Sequence, residues 1–150
     1  MTTPPTLLRL ACATLIAAAC FAAPAAAQEK PSGAELPKPS EIPDVTPDVL
    51  IRADVPGAPN EVMIVSRTSY KPGAHVAKHY HTSQIVFYIL QGTMGVKDDG
   101  KEPFFLKPGD HLLIKPGTIH EHWNESKTEP LVFVEYVLVD KSQRSAVFVK

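Results

Sequence analysis

The chain has 150 residues, 44% of them hydrophobic, with 15 basic and 16 acidic side chains and a formal net charge of −1. That length suits one ordinary domain, and so even a charge balance offers no basic surface for nucleic acid or an anionic membrane. A small molecule is the expected partner.

The chain opens with Arg9, an apolar run from Leu10 to Ala23, and Ala25-Ala26-Ala27 before Gln28. These are the parts of a secretory signal peptide over residues 1–27, which places the mature protein in the periplasm or outside the cell. The run is too short and too rich in alanine for a membrane span. A lipid anchor at Cys20 is the lesser alternative, because Ala17-Ala18-Ala19-Cys20 lacks the large apolar residue such sites carry. Both cysteines, Cys12 and Cys20, lie in this leader. The mature chain therefore has no disulfide or thiolate chemistry, and fourteen basic side chains against sixteen acidic ones.

Residues 28–59 read as a Pro-rich tail or N-terminal arm, broken by Pro31, Pro37, Pro39, Pro43, Pro47, Pro56 and Pro59. Its apolar patch, Val45 to Ile51, is expected as a short strand against the domain or a second subunit. Residues 60–150 carry short apolar runs divided by turn signals. The runs are Val62–Tyr70, Gln84–Leu90, Thr93–Lys97, Phe104–Leu106, His111–Ile114 and Leu131–Val139. Between them stand Lys71-Pro72-Gly73, Gln91-Gly92, Asp98-Asp99-Gly100, Lys107-Pro108-Gly109 and Lys115-Pro116-Gly117. Spacings near ten residues with no helix-length amphipathic segment predict an all-β sandwich or small barrel.

The chemistry is concentrated in histidines. On a strand, side chains two apart share a face, so His79 and His81 aim two imidazoles into one space. His120 and His122 repeat the pattern downstream. Neutral imidazole is the commonest protein ligand for zinc, iron, copper and nickel. His75 is expected in an exposed loop and His111 pointing outward, since Leu112 and Ile114 take the inward parity. Glu121 and Tyr80 alternate away from the histidine face. Phe87, Ile89, Ile114 and Phe133 are expected in the core, and Trp123 either floors a pocket or packs as a buried aromatic.

Residues 73–92 and 109–124 resemble the two motifs of the cupin superfamily. The first motif is Gly, five residues, His-x-His, three or four residues, Glu, six residues, Gly. Here it is met by Gly73, His79, His81 and Gly92. The second is Gly, five residues, Pro-x-Gly, two residues, His, three residues, Asn. Gly109, Gly117, His120 and Asn124 fit it, while Lys115 stands at the proline. The resemblance covers about residues 60–140 and is nearest to the small secreted single-cupin proteins of bacteria. It implies a double-stranded β-helix, or jelly-roll, barrel with a metal on His79, His81 and His120.

One departure bears on the metal. The motif's glutamate falls on Ile85, with Gln84 beside it. Strand parity puts residues 85, 87 and 89 on the histidine face and 84 on the other. A β-bulge near Thr82-Ser83 would turn Gln84 inward as a fourth ligand; without one the site is three histidines, an arrangement also found in this superfamily. His122 either lines the cavity as an acid–base group or packs at the barrel mouth. The resemblance implies a divalent transition metal (Fe, Mn, Zn, Ni or Cu) that nitrogen ligands do not choose between. Two functions stay open. One is an oxygenase or related lyase or isomerase acting on a small oxygenated molecule; the other is a non-catalytic barrel that binds a ligand or metal. The resemblance and the apolar arm together imply a homodimer, with residues 45–55 contacting the barrel or its partner.

Overall fold

A computed structural model describes residues 42–149. The expected signal peptide, the Cys20 anchor and the first part of the arm lie outside the described residues. Ten strands and no helix make up the described chain, so no helix among them is long and apolar enough to cross a membrane. In chain order the strands are β1 (Val45–Val55), β2 (Ala58–Tyr70), β3 (His75–His81), β4 (Ile85–Gln91) and β5 (Met94–Asp98). Then follow β6 (Phe104–Leu106), β7 (His111–Ile114), β8 (His120–Asn124), β9 (Leu131–Asp140) and β10 (Ala146–Phe148).

They form two antiparallel five-stranded sheets, ordered β1-β2-β9-β4-β7 and β10-β3-β8-β5-β6. From β2 onward the chain passes between the sheets at almost every connection, which is the double-stranded β-helix expected from the motifs. Each strand alternates one residue into the space between the sheets and one outward. The inner face collects Ile85, Phe87 and Ile89 from β4, Met94 and Val96 from β5, and Leu131, Phe133, Val137 and Val139 from β9. Burying each large side chain of this kind contributes roughly 1.5–3 kcal/mol. The expected core residues Phe87, Ile89, Ile114 and Phe133 are all buried.

The short strand expected over Val45 to Ile51 is present and runs on to Val55. Residues 45–55 are an edge strand of the first sheet, paired with β2 from Val45↔Tyr70 to Val55↔Ala58. Prolines argue against a central strand, but an edge strand has one unpaired side and accommodates Pro47. The C-terminal strand β10, which pairs with the histidine strand β3 through Ala146↔His81 and Phe148↔His79, has no counterpart in the sequence reading. Three residues are too few for a period to show.

Glycine is required where the sheets turn close to one another. Gly92 has φ +82°, and a Cβ there would lie 2.7 Å from the Pro130 carbonyl oxygen. Gly117 turns the chain into β8 with φ +77°, and its N–H donates to the His81 carbonyl at 2.9 Å. That bond ties the approach to His120 directly to the strand that carries His79 and His81.

Candidate metal centre

Strands β3 and β8 are neighbours in the second sheet, with His79 opposite His120. The pairing shifts register between Val76 and His79. This irregularity lets Val76, His79 and His81 all face inward, although 76 and 79 differ in parity, as a bulge permits. The bulge thus lies before the His-x-His pair, not at Thr82-Ser83. Beyond it the parity is undisturbed: Ile85 is fully buried while Gln84 is exposed. The fourth-ligand reading of Gln84 is therefore corrected, because its side chain leaves the barrel on the solvent side.

Four histidines meet inside. His79, His81, His120 and His122 are each no more than 5% exposed. Ring centroids lie 4.3 Å apart for His79–His120, 4.8 Å for His79–His81 and 5.1 Å for His81–His120. His122 is 5.2 Å from His79 and 5.6 Å from His120. By nearest ligand atoms the tightest trio is His79, His120 and His122, within 4.8 Å of one another. His122, expected on the inward face, is in the cluster itself.

Hydrogen bonding separates the four. His79 Nδ1 donates to the Ala77 carbonyl at 2.8 Å, His81 Nδ1 to Ser145 at 3.0 Å and His120 Nδ1 to Thr118 at 2.9 Å. A carbonyl can only accept, so each Nδ1 carries the proton and each Nε2 keeps its lone pair. This is the outer support that metal-binding histidines have. The Nε2 atoms of His81 and His120 are buried with no hydrogen-bond partner, a costly state for polar groups unless something else fills the role. The residues present therefore fit a divalent metal. His122 differs, since its Nδ1 lies 3.1 Å from the Tyr70 hydroxyl, which can donate or accept and so leaves either tautomer available.

Electrostatics agree with a neutral donor set. Burial pushes the His79 imidazole down to about 4 and that of His81 down to about 3, with nearby imidazoles adding to the effect. His120 is lowered by burial, and His122 is held well below the ordinary imidazole range by burial and then by His79, His120, His81 and His75. All four are neutral at pH 7, as metal ligation requires.

The opposite wall was less visible in the sequence. From β2, Ser66, Thr68 and Tyr70 face inward and are buried. From β9, Glu135 shares the inward parity of Phe133 and Val137 and pairs with Ser66 and Phe87. Its surroundings desolvate the carboxyl and push it up to about 7, although part of the side chain is reached by solvent. Burial, reinforced by the Glu135 charge, raises the Tyr70 phenol well above its usual range. A lone acid at an odd position of an apolar odd-numbered run was the available signal.

The remaining residues lie outside. His75 is exposed but opens strand β3 instead of lying in a loop, with Nε2 3.1 Å from the Glu121 carboxylate; His111 is exposed, and Tyr80 is half-buried outside the cluster. Trp123 neither floors a pocket nor sits in the core. It alternates outward with Glu121, and its indole N–H donates to Glu125 at 2.6 Å. Its ring covers Gly95, where a Cβ would overlap the indole. Asn124, fully buried, donates to the Lys71 and Glu129 carbonyls at 3.1 and 2.8 Å and accepts from the Ser126 N–H. It fastens the end of β8 and so the position of the histidines.

Residues 66–138 match the model of the cupin domain family, the stretch that spans β2 to β9 and contains both histidine pairs. The chain belongs to the cupin superfamily. Solved cupin-type structures superpose on it. A cupin-like protein from Thermotoga maritima has a TM-score of 0.56 and 24% identity, covering 70% of this chain and 75% of that one. The polyketide cyclase RemF from Streptomyces resistomycificus has a TM-score of 0.59 and 20% identity, covering 79% and 81%. The DMSP lyase DddQ from Ruegeria pomeroyi has a TM-score of 0.56 and 21% identity, covering 71% and 52%. At these identities the likeness is one of fold. No curated protein matches the chain in sequence.

Proposed function

We propose that this cupin is an exported metalloenzyme, an oxygenase or related lyase or isomerase, acting on a small oxygenated molecule at a histidine centre. The observation that carries the reading is the set of three imidazoles, His79, His81 and His120. Each has Nδ1 tied to a carbonyl, and two have orphaned Nε2 atoms inside the barrel. These three would hold the ion, with His122 beside them. A bound divalent ion supplies Lewis acidity, and open positions for an anionic or chelating molecule, to a site whose own donors are neutral. The chain's part is to keep the donors deprotonated, to exclude bulk water with Phe87 and Phe133, and to offer hydroxyls from Ser66, Thr68 and Tyr70 opposite the histidines. Similar folds include a protein called a lyase and one called a cyclase, which supports catalysis as the use of such a barrel.

Export rests on the leader sequence. A homodimer is supported by the outer face of the first sheet, where Tyr88, Leu90, Leu113 and Tyr136 remain exposed on adjacent strands. Ile85 in place of a carboxylate favours the second reading, a barrel that binds without turnover. Oxygen uptake and product analysis with phenolics, diketones and thiols separate the two. The protein is loaded in turn with Fe, Mn, Zn, Ni and Cu, with His120→Ala as control. Turnover in the loaded parent alone supports the enzyme; tight binding of these compounds without turnover under any metal favours the binding barrel.

A further inference from the structure

Glu135 lies in the middle of β9, flanked on one side by β2 and on the other by β4, where its register partners Ser66 and Phe87 are buried. Its backbone is enclosed by strands, and its half-buried side chain takes the inward parity of Phe133 and Val137. No hydrogen bond or ion pair engages its carboxyl among the described residues. The neighbouring wall is also unspent: Thr68 Oγ1, on a residue 3% exposed, has no partner. Across the interior, the Phe87 ring lies 5.5 Å from His122, and the Tyr70 hydroxyl reaches His122 Nδ1. Glu135 stays outside the set of ligand atoms within 4.8 Å of one another, so it faces the histidines without joining them. Polar groups buried in a native interior are ordinarily paired. A half-buried carboxyl without a protein partner and a buried, unpaired hydroxyl on one wall, opposite the unpaired Nε2 atoms of His81 and His120, mark the space between as a place for a polar ligand.

We propose that Glu135 is the proton-handling residue of this site, a carboxyl supplied by the sheet opposite the histidines. The proposal rests on the metalloenzyme reading and names its acid–base group. As a carboxylate, Glu135 takes the proton from a C–H or O–H beside a ligand carbonyl. The electron pair of the broken bond stays on the ligand as enolate or alkoxide. As the neutral acid, Glu135 returns the same proton to the product, so the residue ends unchanged. Both forms are populated near neutral pH because the carboxyl is pushed up to about 7. The charged or titratable group that faces it is Tyr70 from β2, whose phenol stays neutral; from β4 it meets Phe87, which does not titrate.

The test uses zinc-loaded protein and oxalate as an anionic chelating probe, in the parent and in Glu135→Gln. Calorimetry is run from pH 5.5 to 8.5, with carboxyl-¹³C glutamate NMR in parallel. The Glu135 carboxyl resonance, identified by its loss in the variant, is expected to move when oxalate binds. Oxalate affinity in the parent is expected to fall at least about tenfold, relative to Glu135→Gln, as pH rises through 7. That is the scale of a like-charge contact across several ångströms at an effective dielectric of about 20. Identical affinities at every pH with an unmoved Glu135 resonance, in samples that contain zinc, overturn the role of Glu135 alone. Zinc absent from both proteins overturns the metal reading and this proposal with it.

Discussion

Lowering the pH from 7 to 5 should destabilise the metal-free protein through its buried histidines. In the unfolded chain an imidazole takes up a proton near 6.5. In the folded chain His79 holds out to about 4 and His81 to about 3, because burial opposes the charge. Between those values the unfolded state binds more protons, so stability falls with pH. For each of the two residues the loss between pH 7 and 5 is about 2 kcal/mol, and His120 and His122 add to it in the same direction. Glu135 works the other way. Its carboxyl, raised to about 7, favours the folded state as it protonates and returns roughly 2 kcal/mol over the same interval. The surface acids lowered by ion pairs or hydrogen bonds, Asp54, Asp99 and Asp140, titrate below this window. The net loss is therefore at least about 2 kcal/mol, a large fraction of the 5–15 kcal/mol typical of a domain. Urea unfolding of metal-free protein at pH 7 and 5, followed by tryptophan fluorescence and circular dichroism, measures it. A free energy of unfolding at pH 5 equal to or above that at pH 7 would refute burial of the neutral imidazoles.

Glu135→Gln should raise stability at pH 8, by up to about 3 kcal/mol in urea unfolding, because it removes a carboxyl that burial opposes when ionised; the gain should shrink towards pH 5, where the parent carboxyl is already protonated. Gly95→Ala should cost roughly 1–3 kcal/mol in thermal unfolding, since its Cβ overlaps the Trp123 indole, and Trp123→Ala in the same chain should recover much of the loss. Asn124→Ala should cost about 2–4 kcal/mol by removing four backbone contacts from a fully buried amide; a loss below 0.5 kcal/mol would mean that water replaces it freely. Ile85→Glu places a carboxylate at an inward, fully buried position facing the barrel interior and should tighten zinc binding while destabilising the metal-free form; unchanged zinc affinity in competition titrations would argue that position 85 lies too far from the histidines.

How far the sequence reveals this architecture depends on the length of each signal. Period-two alternation with glycine and proline punctuation located β2, β4 to β7 and β9 within a few residues, because those strands each have one face against a common interior, while β3 and β8 were marked by their histidine pairs. The strand expected from Val45 to Ile51 is there, its further reach to Val55 masked by the flanking prolines, while β10 was hidden by its shortness. At the site, parity alone decided between Ile85 and Gln84, and the strand kept that parity. The bulge before His79 could not be read from residues 73–81, since any of several positions there would have satisfied the spacing. Glu135 shows the opposite failure. Its position was legible from alternation along Leu131–Val139, but a single acid in a long apolar run reads as an interruption until β2 and β9 are seen to place Ser66, Thr68 and Tyr70 beside it.

The central claim is that His79, His81 and His120 hold one divalent ion while His122 stands beside it. Metal content by mass spectrometry on untagged protein, reconstituted with zinc and dialysed, tests this most directly across the four single alanine variants. One equivalent is expected in the parent and almost none in His79→Ala, His81→Ala and His120→Ala. In His122→Ala metal should be retained with affinity weakened roughly 10–100-fold, as for loss of an outer partner. Full occupancy in His81→Ala with loss in His122→Ala would contradict the claim and move the ion to the trio of nearest nitrogens.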